Sequence, residues 1–312
     1  IKGVRSAMPI FKAKKLCPDA IIVTPRMGYY KKISKSIKEI LTSLSPTIEF
    51  ASLDEAYIDF GGTRRLHGEA PAVKLAKISK AIEQSLGITI SIGLSYNKFL
   101  SKIGSDLDKP RGFSIIGQSD AKKVLSDKSI SKILGVGNRT KVVLESNGIY
   151  TINDLLKYER RELNNLLGSF GETLWFQSRG IDYRRITPNK ISKSISCEKT
   201  LQTNQTDLEI LNSFLWDLTE EISFRLKKRS FMARKFNLKL KSANFNLIVK
   251  SITLENYSNS PEAIFQAIKI LLKKNIVKAP FRLLGITATD FSNFQSRGWN
   301  KTFFEKQENH IL

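Results

Sequence analysis

The sequence predicts an α+β protein of more than one domain. Three observations carry that prediction. Strand-like and helical runs alternate over residues 48–107, short helices crowd residues 119–180, and the last third reads as strand, helix, strand, strand, helix, strand. With 312 residues, 41% of them hydrophobic, the chain is long enough for two or three domains, each burying its own core.

The opening segment, Ile1 to Pro9, carries no helix-start or targeting signal. The chain begins at Ile1 rather than Met, which reads as a fragment of a longer polypeptide. The first patterned stretch is a hairpin. Ile48 and Phe50, then Tyr57, Ile58 and Phe60 closed by Gly61-Gly62, alternate as a half-buried strand pair does. At the tip between them stands Ser52-Leu53-Asp54-Glu55-Ala56. Adjacent side chains on a regular strand face opposite ways, so Asp54 and Glu55 can share a cation only where the backbone kinks. A tight turn supplies the kink, and magnesium accepts one or two carboxylates completed by waters and substrate phosphates. The competing account is a polar turn with solvated acids.

Residues 69–86 carry Val73, Leu75, Ala76, Ile78, Ala81, Ile82 and Leu86 at helical spacing, ended by Gly87. Residues 88–94 alternate as a strand, and residues 97–107 form a short helix with Phe99, Leu100 and Ile103 on one face. The expected layer is a sheet backed by helices, its other face open to a duplex end. Asp108-Lys109-Pro110-Arg111-Gly112 is a turn bearing two cations, either solvated or poised to neutralise a triphosphate.

Within the short helices lies Ile133-Leu134-Gly135-Val136-Gly137-Asn138-Arg139-Thr140-Lys141, followed by Gly148-Ile149 and a capped helix start at Thr151. Apolar-Gly-apolar-Gly between short helices is the helix-hairpin-helix pattern, in which glycines let the backbone approach a phosphate and a helix start presents its N–H groups. A plain helical hairpin is the competing account. Residues 189–194 read as a linker. Beyond it, strands at 191–200, 234–241, 245–253 and 281–290 and helices at 206–228 and 261–274 give a β-α-β-β-α-β order, a four-stranded sheet with helices on one face. Lys190, Lys193, Lys199, Arg234, Lys235, Lys239, Lys241 and Lys250 on those strands make its exposed face or edge basic, suited to tracking phosphates.

The whole chain is basic: 51 Lys and Arg against 29 Asp and Glu give +22. Such a charge attracts polyanions, nucleic acid foremost. No apolar run reaches the length of a membrane span, so no membrane partner is expected. Cys17 and Cys197 lie far apart, which fits a reducing cytoplasm rather than a disulfide scaffold or zinc site. His67 and His310 read as surface residues.

Taken together, the hairpin Ser52-Leu53-Asp54-Glu55-Ala56-Tyr57, the segment Asn97-Lys98-Phe99-Leu100-Ser101-Lys102-Ile103-Gly104-Ser105-Asp106 ending in Lys109-Pro110-Arg111-Gly112, and the helix-hairpin-helix resemble the Y-family DNA polymerases. Gly3-Val4-Arg5-Ser6-Ala7-Met8-Pro9 narrows the resemblance to the DinB branch. The resemblance implies a fingers remnant at 1–28, a palm at 29–116, a helical thumb at 117–187, a little finger at 188–292 and a flexible tail at 293–312. It also implies template-directed, low-fidelity nucleotidyl transfer in translesion synthesis with two magnesium ions. Asp54 and Glu55 would be catalytic and metal-binding, Lys109 would contact the incoming deoxynucleoside triphosphate, and Gly135, Val136, Gly137, Lys141, Arg234, Lys235, Lys239 and Lys241 would bind primer-template DNA. A monomer in the cytoplasm is expected, with the sliding clamp as a further candidate partner. Phe303-Phe304 and Ile311-Leu312 are candidate clamp-docking residues and stay unassigned.

One departure from the family pattern stands out. A strand bearing another metal-binding Asp, and an aromatic residue that rejects ribonucleotides, are expected upstream of Ile1, so the chain as written is expected to be inactive or nearly so. Two rival readings accompany this one: a catalytically silent DNA-binding repair factor of the same architecture, and a helix-hairpin-helix glycosylase using Asp154 as its acid. For Asp154 a helix-cap role is the more economical account.

Overall fold

The structure is a computed structural model that describes residues 2–188 and 192–293. The chain divides into two compact units, the first running to residue 189 and the second from residue 190. Residues 189–191 of the expected linker, His310, and the candidate clamp-docking residues lie outside the described residues.

The first unit opens with α1 (Ile10–Leu16) and α2 (Met27–Thr42), followed by β1 (Ile48–Phe50) and β2 (Ala56–Ile58). Neither helix figured in the sequence expectation. α1 buries no side chain, and of α2 only Ser34 is buried. Next come α3 (Arg64–His67), α4 (Pro71–Leu86), β3 (Ile92–Ser95), α5 (Lys98–Ser105) and β4 (Phe113–Ile116). Pro71 starts α4 where its missing N–H costs nothing, and Gly87 ends it in the left-handed region at φ +67°. The single open-faced sheet expected here is instead two separate pairs, β1 with β2 antiparallel and β3 with β4 parallel. Strand β3 starts at Ile92 rather than residue 88 because its partner is short: Ile92 N–H bonds Gly112 O at 2.8 Å, and β4 offers nothing further back.

Among the described residues, five α-helices and a 3-10 turn (Ile130–Lys132) complete the unit: α6 (Gln118–Ser126), α7 (Asn138–Ser146), α8 (Ile152–Leu155), α9 (Arg160–Leu167) and α10 (Ser169–Ser178). One apolar core runs from Phe99, Leu100 and Ile103 of α5 through Ile116 of β4 and on to Leu144, Ile152, Leu163 and Leu174. The core is therefore continuous across residue 116, where the sequence suggested a boundary between domains. His67 is half-buried, its Nε2 2.7 Å from Leu44 O and its ring beside Phe60, and so differs from the surface residue expected.

The second unit contains β5 (Ile195–Gln205), α11 (Leu208–Lys227), β6 (Phe231–Ser242), β7 (Leu247–Ser258), α12 (Pro261–Asn275) and β8 (Phe281–Asn293). The order is the expected β-α-β-β-α-β, and the antiparallel sheet runs β5-β8-β6-β7. Alternate residues Phe236, Leu238 and Leu240 of β6 and Leu284, Ile286 and Ala288 of β8 are fully buried against Leu215, Ile222, Ile264 and Ile268 of the two helices. Strand β8 reaches Asn293, beyond the end at residue 290 read from sequence, and its Phe291 stacks on Phe231 at 5.0 Å. Both cysteines are free; burial pushes the Cys197 thiol up to about 11.

Candidate active site and nucleic-acid interface

The loop that joins β1 to β2 is closed by two bonds onto one carbonyl. Ala51 N–H and Ser52 N–H donate to Glu55 O at 2.9 and 3.3 Å, which kinks the chain across 52–54 and leaves Asp54 and Glu55 exposed. The Ser52 hydroxyl donates to Asp54 Oδ1 at 2.6 Å and accepts from Asp54 N–H at 3.2 Å, holding that carboxylate to its own turn. Glu55 points to α5, where Lys102 Nζ donates to its Oε1 at 2.7 Å. Lys102 also reaches Asp106 at 3.3 Å, and Lys109 reaches Asp106 at 2.6 Å. The result is an alternating chain, Glu55, Lys102, Asp106, Lys109, in which each cation is shared or balanced. Burial opposes the charge on Lys102, yet the two carboxylates outweigh it and its pKa is raised; burial opposes the charge on Asp106 too, and the two lysines lower its pKa. Tyr57 is raised first by burial and then by the Glu55 charge.

Behind this surface sits an acid the sequence reading passed over. Glu49 is 3% exposed, and its Oε2 accepts from Lys98 Nζ at 2.6 Å and from Thr187 N–H at 2.9 Å. Lys98 lies 4.7 Å from the centre of the Tyr57 ring, so this pair ties β1, β2 and α5 together. At the start of α5, Asp182 accepts from Phe99 N–H at 3.0 Å and is gripped by Arg184 through two bonds of 2.8 Å. Apart from the local Arg184 grip, these contacts link residues far apart in sequence, and period-based reading has no signal for them.

The carboxylate pair meets the requirement for magnesium in its donor chemistry: hard, exposed oxygens on adjacent residues at a turn, with room for water and phosphate. Among the described residues no group of three His, Cys, Asp or Glu gathers to hold a metal by protein ligands alone. Of the turn expected to carry two free cations, Arg111 is taken: it forks onto Glu83 of α4, with bonds of 2.6–3.1 Å, and anchors the loop.

In the helix-hairpin-helix, Gly135 adopts φ +100°, and a Cβ there would come within 2.9 Å of the Phe170 ring, so glycine is required twice over. The N–H groups of Val136 and Gly137 are already spent on Ile133 O and Gly135 O, at 3.0 and 3.1 Å. The donors that face outward are instead those of the first turn of α7, whose cap residue Gly137 contributes no side-chain bond. Lys141 lies one turn on, 3.5 Å from Glu145. Asp154 is consumed as a cap. It accepts from Thr151 N–H and hydroxyl, Tyr150 N–H and Lys157, first the Lys157 bond and then the Thr151 bonds holding its carboxyl well below the usual range. A carboxylate so engaged has no proton to offer as a glycosylase acid.

On the sheet of the second unit, Lys235, Lys239 and Lys241 alternate with the buried residues of β6 and so share the face away from the helices. Lys239 reaches across β8 to Glu198 of β5 at 2.6 Å. It passes over Gly285, which lies in register between them and whose Cβ would meet Glu198 Cβ at 2.9 Å. Arg234 sits at a bulge, bound to Asp290 at 3.0 Å. Lys199 and Lys250, counted from sequence with the basic face, do not belong to it: Lys199 turns to Asp217 and Phe214 of α11, and Lys250 pairs in register with buried Leu238.

The impB/mucB/samB family model matches residues 2–106 and the model of that family's C-terminal domain matches residues 192–299. DNA polymerase IV 1 of Mesorhizobium japonicum is 44% identical over 94% of this chain and 67% of its own length. DNA polymerase IV of Brucella melitensis biotype 1 is 42% identical over 94% of the chain and 66% of its length, so the chain spans about two thirds of these relatives. DNA polymerase IV of Caulobacter vibrioides is 39% identical over 96% of this chain and 74% of that protein. Among solved structures, a Y-family DNA polymerase chimera superposes with TM-score 0.82 at 25% identity, covering 93% of this chain and 84% of the other. The fold is that of the Y-family DNA polymerases, DNA-directed enzymes. Within it, the chain belongs to the impB/mucB/samB family, on the DinB-like side that the DNA polymerase IV relatives occupy.

Proposed function

We propose that this chain serves low-fidelity, template-directed DNA synthesis across damaged template, with Asp54 and Glu55 as the carboxylates that hold two magnesium ions. The exposed acid pair on a kinked hairpin tip, beside the Lys102, Asp106 and Lys109 chain, carries the reading. Bound there, magnesium would lower the pKa of the primer 3′-hydroxyl and neutralise the triphosphate. Asp54 is held in place by Ser52; Glu55 would release Lys102 to hold the cation, and Lys102 has Asp106 as a second counter-ion. Lys109, more than half exposed, turns its charge from Asp106 to the incoming triphosphate. The first turn of α7 and Lys141 take a DNA backbone phosphate, Gly135, Val136 and Gly137 shaping the turn that lets it approach, and Arg234, Lys235, Lys239 and Lys241 follow phosphates along the second unit. In this reading residues 29–116 act as palm, 117–187 as thumb and 188–292 as little finger, in a monomer working in the cytoplasm.

Incorporation of a single nucleotide on a primed template, by the chain joined to the Asp-bearing strand that the family pattern expects upstream, tests the proposal. Asp54→Asn and Glu55→Gln should each lower the rate by on the order of 10²-fold or more, with DNA affinity kept within about twofold. Chelating the magnesium should stop the reaction. A silent DNA-binding factor is the second reading, and the Lys102–Glu55 ion pair, which a metal must displace, is the observation on its side. DNA binding without any incorporation, unchanged by either substitution, would establish it instead.

A further inference from the structure

We propose that the hairpin joining β6 to β7 carries a stacking site for an unpaired DNA base, built on Phe245. The choice of ligand rests on the nucleic-acid reading above. Phe245 stands at the hairpin tip and is 62% exposed, beside Leu247 at 55% and Val249 at 52%. One exposed ring would need no explanation, but Phe245, Leu247 and Val249 stand exposed together at one hairpin, and a contiguous apolar patch marks an interaction surface.

The backbone sharpens the point. Phe245 adopts φ +64°, a conformation costly for a bulky residue and easier for the asparagines on either side of it. The turn enforces it: Phe245 N–H bonds Ser242 O at 2.9 Å, Ser242 N–H bonds Asn246 O at 2.9 Å, and Ala243 N–H bonds Pro280 O at 3.0 Å. The ring is presented as a fixed plate. The Arg282 guanidinium lies over the ring, 4.2 Å from its centre, and Lys241 Nζ lies 5.8 Å from it, so cations back the plate and the exposed part of the ring is left for a base.

Next to it opens a cavity of about 400 Å³ lined in part by Ser242, Asn244, Asn246 and Lys278. An exposed ring bordered by cations and amides is what single-stranded nucleic acid engages: the base stacks, the cations take the phosphates, and the amides meet the base edge. Bases inside a duplex have both faces covered by their neighbours and cannot use the plate. The site is accordingly selective for single strand, in contrast to the lysine face of the same sheet, which meets phosphates only.

The test compares fluorescent oligo(dT) with a blunt duplex of the same length, binding each to the full 312-residue chain. Phe245→Ala should weaken single-strand binding by about 5- to 150-fold and leave duplex binding unchanged, since stacking one base contributes about 1–3 kcal/mol. Phe245→Trp should restore affinity, with indole emission quenched on saturation. Unaltered thermal melting of both variants, expected for an exposed side chain, excludes misfolding as the cause. Equal loss on both DNAs, no loss on single strand, or a Phe245 dependence seen only with an acidic peptide competitor would overturn the site. If the unaltered chain binds neither DNA, the nucleic-acid reading itself fails, and the two failures are thereby separated.

Discussion

Asp54 and Glu55 ride on a hairpin whose strands are three residues each, whereas Lys235, Lys239 and Lys241 ride on a twelve-residue strand flanked on both sides. The lysine positions are fixed by what lies beneath them, because each alternates with a fully buried neighbour such as Phe236, Leu238 or Leu240. The acids are held by the backbone bonds of their own turn and by side-chain bonds to Ser52 and to Lys102, on an exposed surface with nothing packed beneath them. Packing gives a rigid track; exchangeable bonds give a place where one cation can replace another.

The largest expected effect breaks the track. Phe236→Ala removes a fully buried ring from the core of the second unit and should cost about 3–5 kcal/mol, read as a lowered melting midpoint for that unit. Asp54→Asn, at the other surface, should leave melting unchanged while abolishing the chemistry proposed for it. Equal destabilisation by the two would erase the distinction between packed and bonded positioning.

A middling effect comes from Asp154. Its folded-state pKa is depressed, so its contribution is present above the ordinary carboxylate range and is lost as pH falls through the depressed value. Asp154→Asn should therefore destabilise the first unit by about 1 kcal/mol at neutral pH and shrink the difference from the unaltered protein below about pH 4. Thermal melts across that range check the sign. Were Asp154 a catalytic acid, the substitution would leave stability alone.

How much of this was legible in the sequence follows the range of the interactions. The second unit reads through because local period and core agree: Leu238, Leu240, Leu284 and Ile286 alternate in sequence and all face the helices. Helix α2 went unread although Ile33, Ile37 and Ile40 repeat at helical spacing, since no cap marks its start; Arg26 makes no side-chain bond there. The acid pair was found at once, as was the helix-hairpin-helix, because each lies within a few residues. Glu49, Asp182 and the Lys102 bridge were not, since their partners lie 47 to 138 residues away and only the folded chain brings them together. Lys199 differs: it shares strand parity with Ile195, Cys197 and Leu201, which are buried against the helices, so alternation itself sends it to α11.

The smallest effect sharpens the comparison within the track itself. Lys235 is exposed, but Lys239 spends its charge on Glu198 across Gly285, so the two lysines should not count equally toward a phosphate backbone. Each lysine that neutralises a phosphate steepens the dependence of log affinity on log salt by about 0.9. Lys235→Ala should flatten that slope by roughly this amount, and Lys239→Ala by less. Glu198→Gln should then free Lys239, raising DNA affinity severalfold at low salt and steepening the slope by about the same increment. In that background Lys239→Ala should flatten the slope as much as Lys235→Ala does. If Glu198→Gln leaves the slope where it was, a partner along the strand already draws Lys239 away from Glu198 on binding. The ion pair over Gly285 is then a resting arrangement that DNA displaces, just as a metal would displace Lys102 from Glu55.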